Sequence, residues 1–319
     1  MTGARHLVVG AGPVGSTTAL RLADLGHEVT VLSRSGSGPE HARIRRVAGD
    51  ATDVDTLVAH LDGAGSLVNA ASPPYHRWPE EWPPLHRATM AAAERSGALL
   101  VLMDNLYAYG EGATMPMRED TSMRPSGRKG TVRAEMAAAL LDADAQGRLR
   151  GAIVRASDFY GPGVLASAFG ERFVPRVIAG RGVSLLGSLD VPHAVSFLPD
   201  VAATLAAVVT RAEADGRAST GRTWMVPNAP ALTECELVAV FARAAGTQVR
   251  ASAAPRAAIT VGGMFVPAMR ELRETWHQFT SPWTTDATRT EAALGVTATP
   301  IDEGAAVTVA WWRGRGGGG

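Results

Sequence analysis

The segment HLVVGAGPVGSTTALRLADLG, residues 6–26, decides the fold of this chain. A short apolar run leads directly into the glycine pattern GAGPVG, and a helical pattern follows at once. In a strand–turn–helix unit, Gly10 permits the tight turn, Gly12 lets a phosphate approach the backbone, and Gly15 permits close helix packing. We therefore predict a dinucleotide phosphate site at the helix N-terminus, formed by Gly10, Gly12, Pro13, Val14 and Gly15. The alternative is a glycine-rich turn without a ligand.

Strand-length apolar runs alternate with helical patterns through the first half of the chain. The strands include RHLVVG, EVTVLS, SLVNAAS and ALLVLMDN, and the helices include PVGSTTALRLADLG and TVRAEMAAALLDADAQG. This alternation predicts βαβ units, which form a parallel sheet with helices on both faces. The predicted fold class is therefore α/β: a Rossmann-type doubly wound parallel sheet with a smaller C-terminal substrate lobe.

The length of 319 residues indicates two regions, because a dinucleotide domain needs only ~150–200 residues. Beyond Gly161 the pattern changes to pieces punctuated by glycine and proline. We predict a dinucleotide-binding domain over residues 1–160 and a smaller substrate-binding lobe over residues 161–312, interleaved with the last strands. Residues 313–319 are expected to form a flexible tail.

The composition points to a small-molecule substrate. Basic and acidic residues balance at 31 each, so nothing favours nucleic acid or an anionic membrane surface as a partner. No apolar run approaches the ~20 residues that span a bilayer, and no leader precedes the first strand, so we expect a cytoplasmic protein. The single cysteine, Cys235, excludes an intrachain disulfide, and its helical pattern predicts a core position. The eight histidines show no metal-ligand spacing, so no metal is predicted.

The corner after the second strand favours one cofactor. An NAD-preferring site usually carries an Asp or Glu there, about 20 residues beyond the glycines. This chain has Ser33 and Arg34 instead. A guanidinium pairs with a 2′-phosphate that a carboxylate would repel, so we predict NADP(H) in preference to NAD(H). The alternative is that Arg34 is a solvated loop charge.

Several short segments follow the glycine loop in a characteristic order: VAGDATD, VNAAS, LYAYGEG, RASDFYGPG and HAVSFLPDVA. By these motifs the chain resembles the extended short-chain dehydrogenase/reductases, the NAD-dependent epimerase/dehydratase family, over nearly its whole length. The resemblance implies that Asp50 and Ala51 flank the adenine and that Ala70, Ala71 and Ser72 line the nicotinamide ribose and phosphates. It also implies a homodimer, paired through the helices around RATMAAAERSG and TVRAEMAAALLDADA.

The catalytic residues of that family are absent. The family uses a Ser or Thr, a tyrosine that transfers a proton, and a lysine that lowers the tyrosine's pKa and holds the ribose. The resemblance places Asn105, Gly127 and Thr131 at these positions. We therefore expect a displaced proton donor, with Tyr107 as the first candidate and an apolar lining role as its alternative. Lys129 is the candidate cation, although a solvated helix N-terminus would also explain it.

The predicted substrate contacts lie in loops near the nicotinamide. One of these loops, SPPYHRWPEEWPP after the fourth strand, is expected either to cover the pocket or simply to pack as a loop. Asp158 stands where the family has an asparagine, and its charge would repel a nucleotide diphosphate. For His193 a substrate contact and a structural hydrogen bond remain open. The predicted substrate-binding residues are His76, Asp158, Tyr160 and His193.

Together these features predict an NADP(H)-binding enzyme of the extended short-chain dehydrogenase/reductase type. It would act on a small organic substrate by carbonyl reduction or oxidation, or by epimerisation, with a non-standard acid–base site. Two alternatives stay open: a non-redox enzyme on the same fold, and a catalytically inactive regulatory protein that senses NADP(H). Fold alone does not separate them.

Overall fold

A seven-stranded parallel sheet forms the centre of the molecule. The computed structural model describes residues 3–254 and 273–316. The strands of the sheet are β1 (Arg5–Val9), β2 (Glu28–Ser33), β3 (Ile44–Ala48), β4 (Ser66–Asn69), β5 (Leu99–Asp104), β6 (Arg150–Arg155) and β11 (Arg222–Met225). Their spatial order is β11-β6-β5-β4-β1-β2-β3. The strand order reverses between β1 and β4, which is where ligands bind in open α/β sheets.

Helices cover both faces of this sheet, and the predicted α/β doubly wound class is confirmed. On one face α2 (Val54–Leu61), α3 (Trp78–Ser96) and α4 (Arg128–Ala145) pack on inward residues such as Leu7 and Leu100. On the other face α1 (Pro13–Asp24) and α6 (Leu198–Asp215) pack on residues such as Val8 and Val101. Successive strand residues alternate between faces, so each apolar strand serves both cores. None of the described helices is long and apolar enough to cross a membrane.

The second half of the chain forms a third core beside the sheet. Short strand pairs join β7 (Asp158–Tyr160) with β10 (Val195–Phe197), β8 (Val183–Leu186) with β13 (Ala251–Ala254), and β9 (Pro192–His193) with β12 (Leu232–Thr233). The helices described in this half, besides α6, are α5 (Val174–Ile178), α7 (Glu234–Ala245), α8 (Thr288–Leu294) and α9 (Ile301–Gly316). Phe169, Phe173 and Phe241 belong to the core formed with α5, α7 and α9, whereas α8 packs against the core beneath α6. Strand β11 and helix α6 return from this region to the central sheet.

Three local predictions are corrected. Cys235 is exposed rather than in the core, because a capping box between Thr233 and Glu236 starts α7 at Glu234 and leaves Cys235 on the exposed side of its first turn. The proline-rich segment after β4 is mostly helical: α3 begins at Trp78 despite Pro83 and Pro84. Tertiary packing overrides propensity there, since Trp78 and Trp82 are buried.

The tail also begins later than predicted. Helix α9 continues to Gly316, through the first residues of the segment expected to be flexible. Arg313 donates a hydrogen bond to the Ala245 carbonyl at 2.7 Å, and Arg315 lies over the Trp311 ring at 5.6 Å. Residues 317–319 lie outside the described residues.

Candidate active site

The glycine loop has the geometry that its sequence predicts. Gly10 has φ +104°, and a Cβ there would lie 2.7 Å from the Ala71 backbone. A Cβ on Gly15 would lie 1.9 Å from the Gly10 carbonyl oxygen. Gly12 has nothing within 4 Å of a Cβ position, and no side chain caps the helix that starts after it. Pro13 and Val14 open that helix, so its first N–H groups face open space beside Gly12.

The corner predicted to select the cofactor lies at the same edge of the sheet. Ser33 ends β2, and its hydroxyl donates to the Ser37 carbonyl at 2.9 Å. Arg34 follows it, is exposed, and makes no hydrogen bond or ion pair with any described residue. Asp50 is exposed and accepts hydrogen bonds from the backbone and hydroxyl of Thr52, both at 2.8 Å, with the half-buried Ala51 beside it. The Arg34 guanidinium is thus free to meet a ligand.

The end of β4 continues this edge. Ala70 donates its N–H to the Val9 carbonyl at 2.9 Å, and Ala71 packs against the core while Ser72 is exposed. Asn69, the last residue of β4, is fully buried. Neither its amide nitrogen nor its amide oxygen has a hydrogen-bond partner among the described residues. Such a buried polar group is expected to need a partner, and a ligand along this edge would supply one.

Two tyrosine hydroxyls meet where β4 and β5 end. The Tyr107 hydroxyl lies 3.4 Å from that of Tyr75, and the Asn105 side chain accepts the Tyr107 N–H at 3.0 Å. Burial raises the pKa of Tyr107 well above its usual value of 10, and the nearby Tyr75 and Asp158 raise it further. Burial also raises the pKa of Tyr75, although hydrogen bonds to Tyr107 and Thr275 oppose this. Both phenols therefore hold their protons at neutral pH.

Lys129 lies beside this tyrosine pair. Its ammonium group is 4.6 Å from the centre of the Tyr75 ring and 3.4 Å from a carboxylate oxygen of Glu274, and its side chain is only 2% exposed. Glu274 also accepts the backbone N–H of Arg128 at 2.8 Å, so its carboxylate caps α4. The cavity between Tyr107, Lys129 and Glu274 measures only about 10 Å³, roughly the space of one water molecule.

Helix α4 presents a different pair of residues to the interior from the pair that sequence alignment suggested. Thr131 is exposed, and its hydroxyl donates to the Gly127 carbonyl at 3.0 Å. Lys129 and Arg133 are both buried and lie one turn apart on the inner face. A side chain at Gly127 would meet Glu274 at 2.6 Å. Two cationic side chains therefore occupy the inward positions of α4, four residues apart like the tyrosine and lysine of the family.

Arg133 is held by a buried ion cluster. Asp104, at the end of β5, accepts hydrogen bonds from Arg133 at 2.5 Å and from Arg155 at 2.8 Å. All three side chains are at most 3% exposed. Burial would raise the pKa of the Asp104 carboxyl, but the two guanidinium groups lower it overall. Trp82 covers Arg133 at 4.5 Å, and Tyr109 covers Arg155 at 4.7 Å.

The predicted residues Asp158 and His193 form one pair. The His193 Nε2 lies 2.9 Å from an Asp158 carboxylate oxygen, and its Nδ1 lies 3.1 Å from the Gln278 carbonyl. A carbonyl only accepts, so Nδ1 carries a hydrogen. His193 thus bridges the Gln278 carbonyl and the Asp158 carboxylate through its two ring nitrogens. His193 is buried and stacked on Phe279, whereas Asp158 is partly exposed and faces the site.

Glu234 is a buried acid that the sequence did not single out. It lies on the first turn of α7 and is 2% exposed. Burial, with the nearby Asp158 charge, raises its pKa to about 8. One of its carboxyl oxygens has no partner among the described residues. Tyr75, Glu274 and Glu234 were missed because no motif marks them; each reaches the site only through the fold.

Two predicted substrate residues lie elsewhere. His76 is exposed on the short 3-10 turn Tyr75–Arg77. Tyr160 is buried among Phe197 and Phe241, with ring centres at 5.2 and 5.9 Å. This packing favours a structural role for Tyr160. The buried position of its ring does not support the predicted contact with substrate, which stays a prediction.

The fold and the glycine loop define a protein of the Rossmann class. The profile of the NAD dependent epimerase/dehydratase family matches residues 6–220. That match covers most of the chain, which therefore belongs to this family, as predicted.

Solved structures share the fold at low sequence identity. The dTDP-glucose 4,6-dehydratase DesIV from Streptomyces venezuelae, solved with NAD and TYD, is 20% identical with a TM-score of 0.77, and the match covers 98% of both chains. MoeE5, solved with UDP-glucose and NAD, is 22% identical with a TM-score of 0.75, covering 98% of this chain and 99% of that one. The epimerase Mth375 from Methanothermobacter thermautotrophicus is 17% identical with a TM-score of 0.80, covering 99% and 94%. No curated protein matches the chain significantly.

Proposed function

We propose that this protein binds NADP(H) in preference to NAD(H) and catalyses reduction, oxidation or epimerisation of a small organic carbonyl or alcohol substrate. The residues present fit the cofactor: Gly12 faces open space, the N-terminus of α1 is uncapped by side chains, and the Asn69 amide is buried without a partner among the described residues. When bound, the nicotinamide supplies hydride transfer. Arg34 is the proposed partner of the 2′-phosphate.

The tyrosine pair is the observation that carries this proposal. The hydroxyls of Tyr75 and Tyr107 meet at 3.4 Å where β4 and β5 end, beside Lys129. Tyr107 would donate a proton to the substrate oxygen as hydride arrives at the carbonyl carbon. Tyr75 would then stabilise the phenolate by donating to it, and Lys129 would add positive charge nearby. The Asp158–His193 pair, which lies next to the two tyrosines, is the proposed route by which a proton returns to the acid.

The charges around the site narrow the substrate class. Asp158 and Glu274 both lie next to the tyrosine pair, and their carboxylates would repel an anionic substrate. The small cavity beside Tyr107 also leaves little room. We therefore propose a small, uncharged substrate rather than a sugar nucleotide of the kind found in DesIV or MoeE5.

Steady-state assays test the proposal directly. NADPH oxidation is followed with a panel of ketones, aldehydes and enones, and NADP⁺ reduction with the corresponding alcohols. Turnover with at least one uncharged carbonyl compound is expected. Tight NADPH binding without turnover in either direction would contradict the enzymatic part of the proposal.

One observation favours a non-catalytic alternative, a protein that senses NADP(H). Glu274 caps α4 and contacts Lys129, and the space left beside Tyr107 holds roughly one water molecule. A protein with little space for substrate beside Tyr107 could still bind the cofactor at the glycine loop. A non-redox enzyme that uses Glu234, Asp158 and His193 for proton transfer is the remaining alternative. Substrate-free NADPH binding, measured beside the turnover assays, separates the redox enzyme, which binds NADPH and oxidises it, from the sensor and the non-redox enzyme, which bind NADPH without oxidising it.

We also propose a cytoplasmic homodimer. The family resemblance implies pairing through α3 and α4, and the exposed side chains on α4 include Ala138 and Ala139, which allow close helix approach. Light scattering at micromolar concentration is expected to give twice the 33.3 kDa mass of the chain. A monomeric mass would contradict the proposal.

A further inference from the structure

We propose that His6, His27 and Glu213 bind a Zn²⁺ ion at the edge of the sheet opposite to the glycine loop. His6 lies near the start of β1, His27 precedes β2, and Glu213 lies on the last turn of α6. The sequence predicted no metal because these residues stand far apart along the chain. The parallel sheet and the packing of α6 on α1 bring them together.

The distances match zinc coordination. The His6 Nε2 lies 3.1 Å from the His27 Nδ1 and 3.5 Å from a Glu213 carboxylate oxygen. Tetrahedral zinc with bonds of ~2.0–2.1 Å places its donor atoms ~3.3 Å apart. The ligand atoms of the three residues all lie within 4.8 Å of one another. A small movement of the partly exposed Glu213 side chain would bring its carboxylate oxygen to the same distance from the His27 Nδ1.

The surroundings orient His6 as a ligand. Its Nδ1 lies 2.9 Å from the Ser66 hydroxyl. When the ring hydrogen is on Nδ1, the Nε2 lone pair is directed at the cluster. His6 and His27 are 4.8 Å apart between ring centres.

The local charges also favour a cation. Glu213 lies at the C-terminal end of α6, where the helix dipole is negative, so an unpaired carboxylate is unfavourable there. A bound cation would offset the negative charge of the carboxylate and that of the helix end. The nearby positive charge of Arg150 opposes this effect. A hollow of about 440 Å³, lined in part by His6, lies beside the cluster. Three protein ligands leave the fourth zinc position for water.

Metal titrations of the untagged, full-length protein test this site. One Zn²⁺ per chain is expected by equilibrium dialysis, and Co²⁺ is expected to give the intense visible absorption of a tetrahedral complex. Loss of an outer partner alone weakens metal sites 10–100-fold, so His27→Gln and Glu213→Gln should each weaken Zn²⁺ binding by at least ~10-fold. His60→Gln, which changes a histidine lining the same hollow outside the cluster, is the matched control.

Circular dichroism checks that each variant folds. Sub-stoichiometric binding by the wild type, or unchanged affinity in the folded His27→Gln and Glu213→Gln variants, would overturn the proposal. If both variants unfold, the wild-type Co²⁺ spectrum decides. The weak spectrum of octahedral, hydrated Co²⁺ would overturn the proposal. A tetrahedral spectrum that is lost or weakened in Ser66→Ala would support it.

Discussion

Two halves of the same sheet edge are built in different ways. The glycine half, residues 10–15 with Ser33 and Arg34, presents backbone and open space, with nothing within 4 Å of a Cβ on Gly12. The tyrosine half, around Tyr75, Tyr107, Lys129 and Glu274, is filled with side chains from separate segments of the chain. A backbone site follows directly from a local motif, whereas a side-chain site depends on the whole fold. The two halves should therefore respond differently to substitution.

The largest expected effect is in the tyrosine half. Tyr107→Phe removes the proposed acid and should lower turnover about 10²–10⁴-fold, with NADPH affinity nearly unchanged. Because burial raises the pKa of Tyr107, its phenol should stay protonated as pH rises through the usual tyrosine value of 10. Wild-type turnover in the direction that uses Tyr107 as the acid should therefore not fall over this range. Steady-state kinetics between neutral pH and this range measures both.

The matched control for that variant is Tyr109→Phe. Tyr109 is also buried, and its hydroxyl donates to the Arg118 carbonyl at 2.9 Å, away from the tyrosine pair. It should lose stability but keep the turnover of its folded fraction. Equal losses of turnover in the two variants would show that Tyr107 acts by packing.

The next largest effect concerns the support beneath the tyrosine half. Asp104→Asn leaves Arg133 and Arg155 buried without their carboxylate, which should cost about 3–5 kcal/mol in the free energy of unfolding. Asp55→Asn breaks only the exposed ion pair with Arg95 and should cost less than ~1 kcal/mol. Urea denaturation compares the two. Similar small losses would mean that the buried cluster does not hold this half together.

Two glycine substitutions sharpen the comparison on the other side. Gly15→Ala places a methyl group 1.9 Å from the Gly10 carbonyl oxygen and should cost about 1–3 kcal/mol or more of stability. Gly12→Ala meets no atom and should fold as the wild type does, yet bind NADPH more weakly because the methyl occupies the space for phosphate. Denaturation and fluorescence titration separate stability from affinity. Unchanged NADPH affinity in Gly12→Ala would argue against a phosphate site at this loop.

The smallest expected effect is on cofactor choice. Arg34→Ala should remove most of the preference for NADPH over NADH, about 1–3 kcal/mol of binding free energy. Arg43→Ala, at the opposite edge of the sheet, is the control and should leave the preference intact. Calorimetric titration with both cofactors measures it. Wild-type affinities that are equal for NADPH and NADH would contradict the assignment of Arg34.

The sequence predicted the geometry of the glycine loop because that geometry is local. A glycine that needs φ +104° or close backbone contact is marked by its residue type alone. The tyrosine half was predicted only in part. Tyr107 and Lys129 were named, but Tyr75 and Glu274 carry no motif and arrive from other segments of the chain. The resemblance placed Gly127 and Thr131 at the catalytic positions, two residues before the inward-facing Lys129 and Arg133, because motif spacing does not show which face the helix buries.

The cluster around Asp104 has an electrostatic consequence for the whole tyrosine half. Two guanidinium groups share one carboxylate, so a net positive charge is fixed inside the protein, where solvent screens it weakly. This charge affects the pKa values of nearby groups: burial and the Arg133 charge together lower the pKa of His86 to about 4, and the Arg133 charge opposes the rise of the Tyr107 pKa. Guanidinium does not titrate in the accessible pH range, so this positive potential is constant with pH. The potential from a lysine would change, because a buried lysine can lose its proton. Any anion formed beside Tyr107 would therefore develop in a permanent field, set when the chain folds.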